Sequence, residues 1–285
     1  MFSKNKKKER EPQYYMSAVN TAVYNYKVYY MSPKEKILYF LLAFATGAFV
    51  AYLFYGGLAK DEYGNPTTAT YVLNIIICSL VGLLAAKFYI PIRTEKLQEK
   101  SVNKLRIQFR DMLDSLTTSL NAGMNVTDSF INVYEDLKVQ YDEDAYIIRE
   151  LEVILESIRN NIDIEDALMD LGVRSGIDDI KSFANVFKLS YRKGGNIKDI
   201  IRNTHEIISE KMEIEEDIKS MVSSNKREQN MMTVMPVGIV GIIKLMSGDF
   251  GANFSTGIGV LSTTIGVVIF VISYFLGKSI LDIKV

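Results

Sequence analysis

Four apolar blocks, separated by charged sequence, constrain this chain more than any other feature. The first and last of them contain no Asp, Glu, Lys or Arg. A helix needs about 20 apolar residues to cross roughly 30 Å of hydrocarbon. We therefore predict four transmembrane helices, which excludes a single soluble domain, a disordered chain and a disulfide scaffold. The blocks are residues 37–58, 71–92, 231–246 and 257–276.

The ends of these blocks differ in how clearly they are marked. Ser32 can cap the first helix, Pro33 suits its first position, and Glu35 lies where a capping box has an acid. The third block is the weakest, because it is short and contains Pro236 and Lys244. Neighbouring residues and snorkelling must help it to cross the bilayer.

The distribution of Lys and Arg predicts the orientation of the spans. The leader 1–36 has eight of these residues, whereas the loop 59–70 has one and the loop 247–256 has none. Basic residues are enriched in cytoplasmic loops. We therefore expect a protein of the cell (inner) membrane, with both termini and the segment 93–230 on its cytoplasmic side. The predicted order is leader 1–36, spans 37–58 and 71–92 with outer loop 59–70, cytosolic domain 93–230, spans 231–246 and 257–276 with outer loop 247–256, and tail 277–285.

The segment 93–230 has the pattern of an all-α domain. It contains no proline, and its apolar residues recur at helical spacing. With 20 Lys and Arg against 27 Asp and Glu, its net charge is −7, which makes it a poor partner for nucleic acid. We predict a cytosolic six-helix bundle with its own core. The expected helices are 94–122, 126–138, 144–160, 164–171, 177–193 and 197–230.

One capping pattern occurs three times in this domain. An Asn or Asp is followed by an apolar residue and, three places after the cap, by an Asp. Such residues accept hydrogen bonds from free N–H groups and complement the helix dipole. Glycine precedes two of these caps and permits the left-handed conformation that ends a helix. The candidate joint residues are Gly123, Asn125, Asp163, Gly194, Gly195 and Asn196.

Three polar residues interrupt the predicted spans: Asn74, Lys87 and Lys244. Ionisable residues inside a membrane are functional candidates. Both lysines lie near span ends, however, and can snorkel to the interface. Asn74 can hydrogen-bond across helices. Both a specific role and simple packing remain open for these residues.

The leader carries a basic run, Lys4 to Arg10, followed by residues that fall on one helical face. This pattern predicts an amphipathic helix that lies on the membrane surface or docks on a cytosolic partner. The residues of this face are Tyr15, Val19, Ala22, Val23, Tyr26 and Tyr30.

Sequence signatures of catalysis are missing. The chain has no G-x-x-x-x-G-K-[ST], no G-x-S-x-G and no H-E-x-x-H. It has one cysteine, Cys78, in the second apolar block, and one histidine, His205. We therefore predict a protein that is not an enzyme, without catalytic, metal or cofactor-binding residues.

Three stretches of the domain, and one dipeptide after it, resemble a known family. The sequences QFRDMLD at 108–114 and LNAGMNV at 120–126 resemble the start of the type II secretion F domain. In this chain Arg110 stands in place of the family's proline and Asn125 in place of its serine. KGGNI at 193–197 resembles its second hallmark, and Met235-Pro236 also fits. The resemblance covers about residues 100–276.

The resemblance implies an inner-membrane platform protein of a type II secretion or type IV pilus system. One cytosolic domain between two pairs of spans looks like the tight-adherence (Tad/Flp pilus) branch. The implied partners are a cytosolic hexameric ATPase, pilin subunits, the lipid bilayer, and a paralogous platform protein or a second copy. A membrane receptor or signalling scaffold is the alternative, although outer loops of about a dozen residues offer little room for a ligand, and a transporter comes third.

Overall fold

The computed structural model describes residues 11–17, 21–59, 65–193, 196–246, 253–254 and 256–281. Within these residues the chain is nearly all-α, as predicted, with one short β-hairpin. The strands are β1 (Tyr14–Met16) and β2 (Ala22–Tyr24). The helices are α1 (Pro33–Tyr55), α2 (Thr68–Asn121), α3 (Val126–Gln140), α4 (Tyr146–Arg159), α5 (Ile164–Ser175), α6 (Asp178–Lys193), α7 (Ile197–Met246) and α8 (Gly257–Leu281).

The chain divides into two compact units. The first, here called the bundle unit, combines Met1–Tyr30 with Thr94–Glu213. The second, the span unit, combines Met31–Arg93 with Ile214–Val285. Helices α2 and α7 each contribute residues to both units.

A single apolar core holds the bundle unit together. Because apolar side chains recur every three to four residues, each helix turns one face inward, and burial of each large side chain contributes roughly 1.5–3 kcal/mol. Helices cover the six ranges predicted for segment 93–230, but the first and the last are parts of the longer helices α2 and α7, which extend beyond the segment. Core residues with no more than 1% exposure come from α2 to α7, among them Leu113, Phe130, Leu151, Leu168, Phe183 and Ile201.

The leader is not the amphipathic helix that its sequence predicts. Its described part forms the antiparallel pair β1–β2, in which Tyr15 lies opposite Val23. Val23 and Tyr26 are buried, whereas Tyr15 and Tyr30 are exposed, so the expected helical face does not exist. Aromatic and β-branched residues favour strands, and contacts with the bundle override the helical spacing. Val19 lies outside the described residues.

In the span unit, three helices are long and apolar enough to cross a membrane, counting only the residues described. They are Pro33–Tyr55, the apolar part of Thr68–Asn121, and Gly257–Gly277. The block 231–246 continues α7 without a break, and Pro236 lies inside that helix. Three of the four predicted spans thus have the required length and hydropathy, and the fourth stays a prediction.

Small residues allow α1 and α2 to approach closely. A Cβ atom added to Gly47 would lie 2.7 Å from Ala85 Cβ and 3.2 Å from Gly82 Cα. One added to Gly82 would lie 2.8 Å from a ring carbon of Phe44. Glycine is therefore required on both sides of this helix contact, which is typical of helix pairs in membranes.

Candidate functional site

The most completely built polar site lies in the bundle unit, around a buried ion pair between α4 and α5. Arg174 donates to both carboxylate oxygens of Glu150, over 2.6 Å from Nη2 and 3.0 Å from Nη1. Its Nε also donates to Asp170 over 2.6 Å. The two paired side chains are 4% and 3% exposed. Such a pair is stable only if its remaining hydrogen-bonding groups are satisfied.

The leader supplies the missing partners of this pair. Tyr26, with 1% exposure, donates its hydroxyl hydrogen to Glu150 Oε1 over 2.8 Å. Arg174 Nη1 donates to the carbonyl oxygen of Tyr24 over 2.9 Å, and the Arg174 carbonyl accepts from the Tyr26 N–H over 3.2 Å. The Tyr146 ring packs against both tyrosines, with its centre 5.9 Å from Tyr24 and 5.3 Å from Tyr26. The hairpin is thus an integral part of the bundle unit.

The electrostatics fix the protonation of this cluster. Burial, together with the negative charge of Glu150, raises the pKa of the Tyr26 hydroxyl well above its ordinary value. Burial opposes the charge on Arg174, but its hydrogen bonds and attraction to Glu150 and Asp170 outweigh that cost and raise its pKa. At neutral pH, Tyr26 therefore remains a donor and Arg174 a cation. The cluster is therefore suited to holding α4, α5 and the leader together, and not to transferring protons.

Sequence reasoning did not identify this cluster, although a signal for it exists. Glu150 follows Ile147 by three positions and precedes Ile154 by four, so it lies on the apolar face of α4. Arg174 likewise follows Leu171 by three positions on α5. A charged residue at a core position almost always has a buried partner. An acidic and a basic residue at two such core positions therefore predict an internal ion pair.

The first candidate joint has the geometry that its sequence pattern predicts. Gly123 has a φ of +92°, in the region that glycine tolerates, between α2 and α3. Asn125 precedes α3, and its side chain accepts from the Asp128 N–H over 2.8 Å. Its amide group also donates to the Asp128 carboxylate over 2.7 Å. The pattern thus closes a ring around the first turn of α3.

The other two joints differ in detail. Asp163 precedes α5 but makes no capping bond with its side chain, which instead faces Arg192 at 3.4 Å. Asn196 precedes α7 and donates to Asp199 over 2.5 Å, the same pairing as at Asn125. Gly194 and Gly195 lie outside the described residues.

Two of the three polar residues in the spans, Asn74 and Lys244, contact the backbone directly after the C-terminal end of α1. Gly57 N–H donates to Asn74 Oδ1 over 3.4 Å, and Lys244 Nζ donates to the Gly56 carbonyl over 3.4 Å. The Lys244 ammonium also lies 5.1 Å from the ring centre of Phe254. Lys87 is exposed on α2 and is not part of this group.

The described residues contain no group of three or more His, Cys, Asp or Glu that could hold a metal ion. His205 lies with Nδ1 at 3.3 Å from the Arg110 carbonyl oxygen, a contact between neighbouring helices.

Comparison with known proteins gives one match. Residues 112–244 match the model of the family described as type II secretion system (T2SS), protein F. The match begins in α2 and ends in α7, so the β-hairpin and α1 lie outside it. No curated protein and no solved structure matches the chain. The match confirms the resemblance to the F domain and does not distinguish its branches.

Proposed function

Because residues 112–244 match the model of the type II secretion system protein F family, we propose that this chain is the platform of a type IV pilus, of the Tad/Flp kind, or of a type II secretion machine. The family implies an inner-membrane platform protein that is structural and not an enzyme. The proposed role is to couple a cytosolic hexameric ATPase to the insertion of pilin subunits into a filament. A paralogous platform protein or a second copy of the chain would complete the platform.

Contacts in the span unit support four membrane spans. The proposed topology places the C-terminal ends of α1 and α7 and the N-terminal ends of α2 and α8 at the outer face. The contacts of Lys244 with Gly56 and of Asn74 with Gly57 join three of these ends. Tyr55 Oη lies 3.2 Å from Thr264 Oγ1, in the first half of α8.

The opposite ends of the same helices also pair. Arg93 Nη2 donates to the Tyr39 hydroxyl oxygen over 3.2 Å, which joins the proposed inner ends of α1 and α2. Gln229 Nε2 donates to the Tyr274 carbonyl over 3.3 Å, which joins those of α7 and α8. Lys244, near the end of the block 231–246, thus contacts the residue after α1, and Gln229, just before the block, contacts α8. This observation carries the proposal that residues 231–246 form a fourth span with Lys244 near its outer end.

The bundle unit suits a mechanical role. It has no phosphate-binding loop, so the energy for assembly must come from another protein. Its buried ion pair fixes α4, α5 and the leader to one another. A rigid domain transmits force better than a flexible one.

Cysteine labelling in intact cells tests the topology. In a Cys78→Ala background, a membrane-impermeant reagent should reach a cysteine placed at Asn65 or Asn253 and should miss one placed at Asn160. The unsubstituted background is the control. Labelling at Asn160 would contradict the cytosolic position of segment 93–230.

Purification of the tagged chain tests the platform role. An assembly ATPase and a pilin should co-purify, whereas a sensor kinase would favour the signalling alternative. The pure chain should not hydrolyse ATP. Loss of filaments should follow deletion of the chain and should be reversed by the chain supplied in trans.

A further inference from the structure

The leader hairpin has one edge on the bundle and one edge that is exposed. The strand β2 forms the inner edge, because the Tyr24 carbonyl oxygen accepts from Arg174 over 2.9 Å and the adjacent Val23 is buried. The strand β1 forms the outer edge, and its end residues Tyr14 and Met16 are 55% and 68% exposed. An exposed strand edge is a surface to which a further strand can be added.

The hydrogen-bond pattern shows which backbone groups of β1 point away from β2. Bonded and non-bonded residue pairs alternate along an antiparallel pair. Since the Asn25 N–H donates to the Gln13 carbonyl over 2.8 Å, every second residue from Gln13 onward, Tyr15 included, bonds to β2. The N–H and C=O groups of Tyr14 and Met16 therefore point to the outer edge. Among the residues that the structure describes, none forms a hydrogen bond with these four groups.

The sequence of β1 does not oppose the approach of another strand. Natural edge strands are usually protected by charged side chains, by proline or by a bulge. The strand Tyr14–Met16 contains neither a charge nor a proline, and the range 12–26 contains no Asp, Glu, Lys or Arg. A charged partner segment would gain no ion pair at this edge, whereas two copies of β1 meet without repulsion between their side chains.

The edge is complementary to itself about a two-fold axis beside Tyr15. In an antiparallel arrangement, Tyr14 of one copy lies opposite Met16 of the second copy, and the reverse. Each of these two pairs exchanges two hydrogen bonds, so all four outward groups of each strand are used. The opposed side chains lie on the same face of the sheet, with Cβ atoms about 4.5–5.5 Å apart. A contact of this kind joins the same surface of both copies and closes as a dimer.

We propose that β1 binds β1 of a second copy of this chain, edge to edge and antiparallel, and so forms a continuous four-stranded sheet. The inference rests on the proposed function, which includes a second copy as a partner, and it assigns the surface that joins the copies. That surface lies outside the region that matches the protein F family. The contact is much smaller than the interface of a stable soluble dimer. It therefore requires copies that are held close together, as they are in one membrane.

Disulfide cross-linking in membranes isolated from a host without a secretion or pilus system tests the pairing. In a Cys78→Ala background, Tyr15→Cys places one thiol of each copy beside the two-fold axis. The Cα atoms of such a directly opposed, non-bonded pair lie about 4.5 Å apart, which a disulfide can span. Mild oxidation should convert most of the chain into a covalent dimer. The control is Val139→Cys, at a residue of α3 that is 90% exposed, which should give roughly tenfold less dimer.

Two double substitutions, each added to Tyr15→Cys, test which residues lie opposite each other. Tyr14→Lys with Met16→Lys brings like charges together across the axis, whereas Tyr14→Lys with Met16→Glu brings opposite charges together. Both remove the same two exposed side chains, so both should unfold at similar temperatures. We expect roughly tenfold less dimer from the first pair than from the second, and high salt should narrow the difference by screening.

Equal amounts of dimer from Tyr15→Cys and Val139→Cys, or from the two double variants, would overturn the proposal. A cross-link from Tyr15→Cys to a different protein in cells that assemble the filament, with no dimer in the isolated membranes, would also overturn it, because another protein would then supply the added strand.

The choice of host separates this inference from the proposed function. The host contains neither the assembly ATPase nor the pilin, so dimer formation does not depend on filament assembly. The β1 contact can therefore fail while the platform role stands. Conversely, a dimer of a chain that does not support filament assembly would leave the contact intact and contradict only the platform role.

Discussion

Tyr26 donates its hydroxyl hydrogen to Glu150 over 2.8 Å, although 124 residues and two membrane-spanning candidates separate them in the chain. The bond joins the leader to α4 in the centre of the bundle unit. Without the leader, the Glu150–Arg174 pair would lose one donor and one acceptor and would face water on that side. The N-terminal hairpin therefore belongs to the folded domain.

Tyr26→Phe should destabilise the bundle unit without changing its packing volume. The variant leaves Glu150 without one buried donor, which costs about 1–3 kcal/mol. Tyr15→Phe is the matched control, because this tyrosine is 37% exposed and should change the stability by less than about 0.5 kcal/mol. Denaturant unfolding of the detergent-solubilised chain measures both. Trypsin cleavage after Lys27 should accelerate only in the Tyr26 variant, and equal rates would contradict the docking of the hairpin.

The ion pair itself should show strong coupling in a double-mutant cycle. Glu150→Gln leaves the buried Arg174 with only the partly exposed Asp170 as an anionic partner, which we expect to cost up to about 3–5 kcal/mol. Glu150→Gln combined with Arg174→Met should cost clearly less than the sum of the single changes. Asp199 and Arg202, about half exposed, form the control pair, where Asp199→Asn should cost less than about 1 kcal/mol. Additive effects at Glu150 and Arg174 would show that no buried pair exists.

Local patterns in the sequence predicted local structure well. The cap at Asn125 and the glycine at 123 fixed the start of α3, because both act on the nearest helical turn. The helical spacing of apolar residues predicted the helices of the bundle, and the long apolar blocks predicted the helices of the span unit. These signals depend only on neighbours in the chain.

Features that depend on long-range contacts, such as the leader hairpin, could not be predicted from the sequence. The spacing of Tyr15, Val23 and Tyr26 fits a helix, yet bonds from Tyr26 to Glu150 and Arg174 make a hairpin the better solution. The meeting of Lys244 with Gly56 likewise joins residues 188 positions apart. No local pattern encodes either contact.

The close approach of α1 and α2 should not tolerate a side chain. Gly47→Val would bring its Cβ within 2.7 Å of Ala85 Cβ, and such overpacking costs about 1–3 kcal/mol. Gly266→Val on α8 is the matched control, since a Cβ there has no neighbour within 4 Å among the atoms described. Thermal unfolding of the chain in detergent, followed by circular dichroism, should occur at lower temperature for the first variant only. Equal midpoints would show that the helices do not touch at this point.

Tyr141 should ionise only at unusually high pH. Burial, the hydrogen bond that its hydroxyl donates to Asp111, and the charge of Asp111 raise its pKa from 10.0 to about 12, while Arg110 acts in the opposite direction. The folded state therefore favours the protonated hydroxyl. The stability that this group contributes is complete below pH 10 and is lost as the pH rises towards 12.

The measurement is a pH titration of tyrosinate absorbance, taken as the difference between the native chain and Tyr141→Phe while the helical circular dichroism is retained. The difference should rise with a midpoint near pH 12. In an Asp111→Asn background the midpoint should fall, because the anion that opposes ionisation is gone, but it should stay above 10.0, because burial persists. The stability difference between the native chain and Tyr141→Phe should be constant below pH 10 and should shrink above it. A midpoint near 10 in the native chain would mean that Tyr141 is neither buried nor bonded to Asp111.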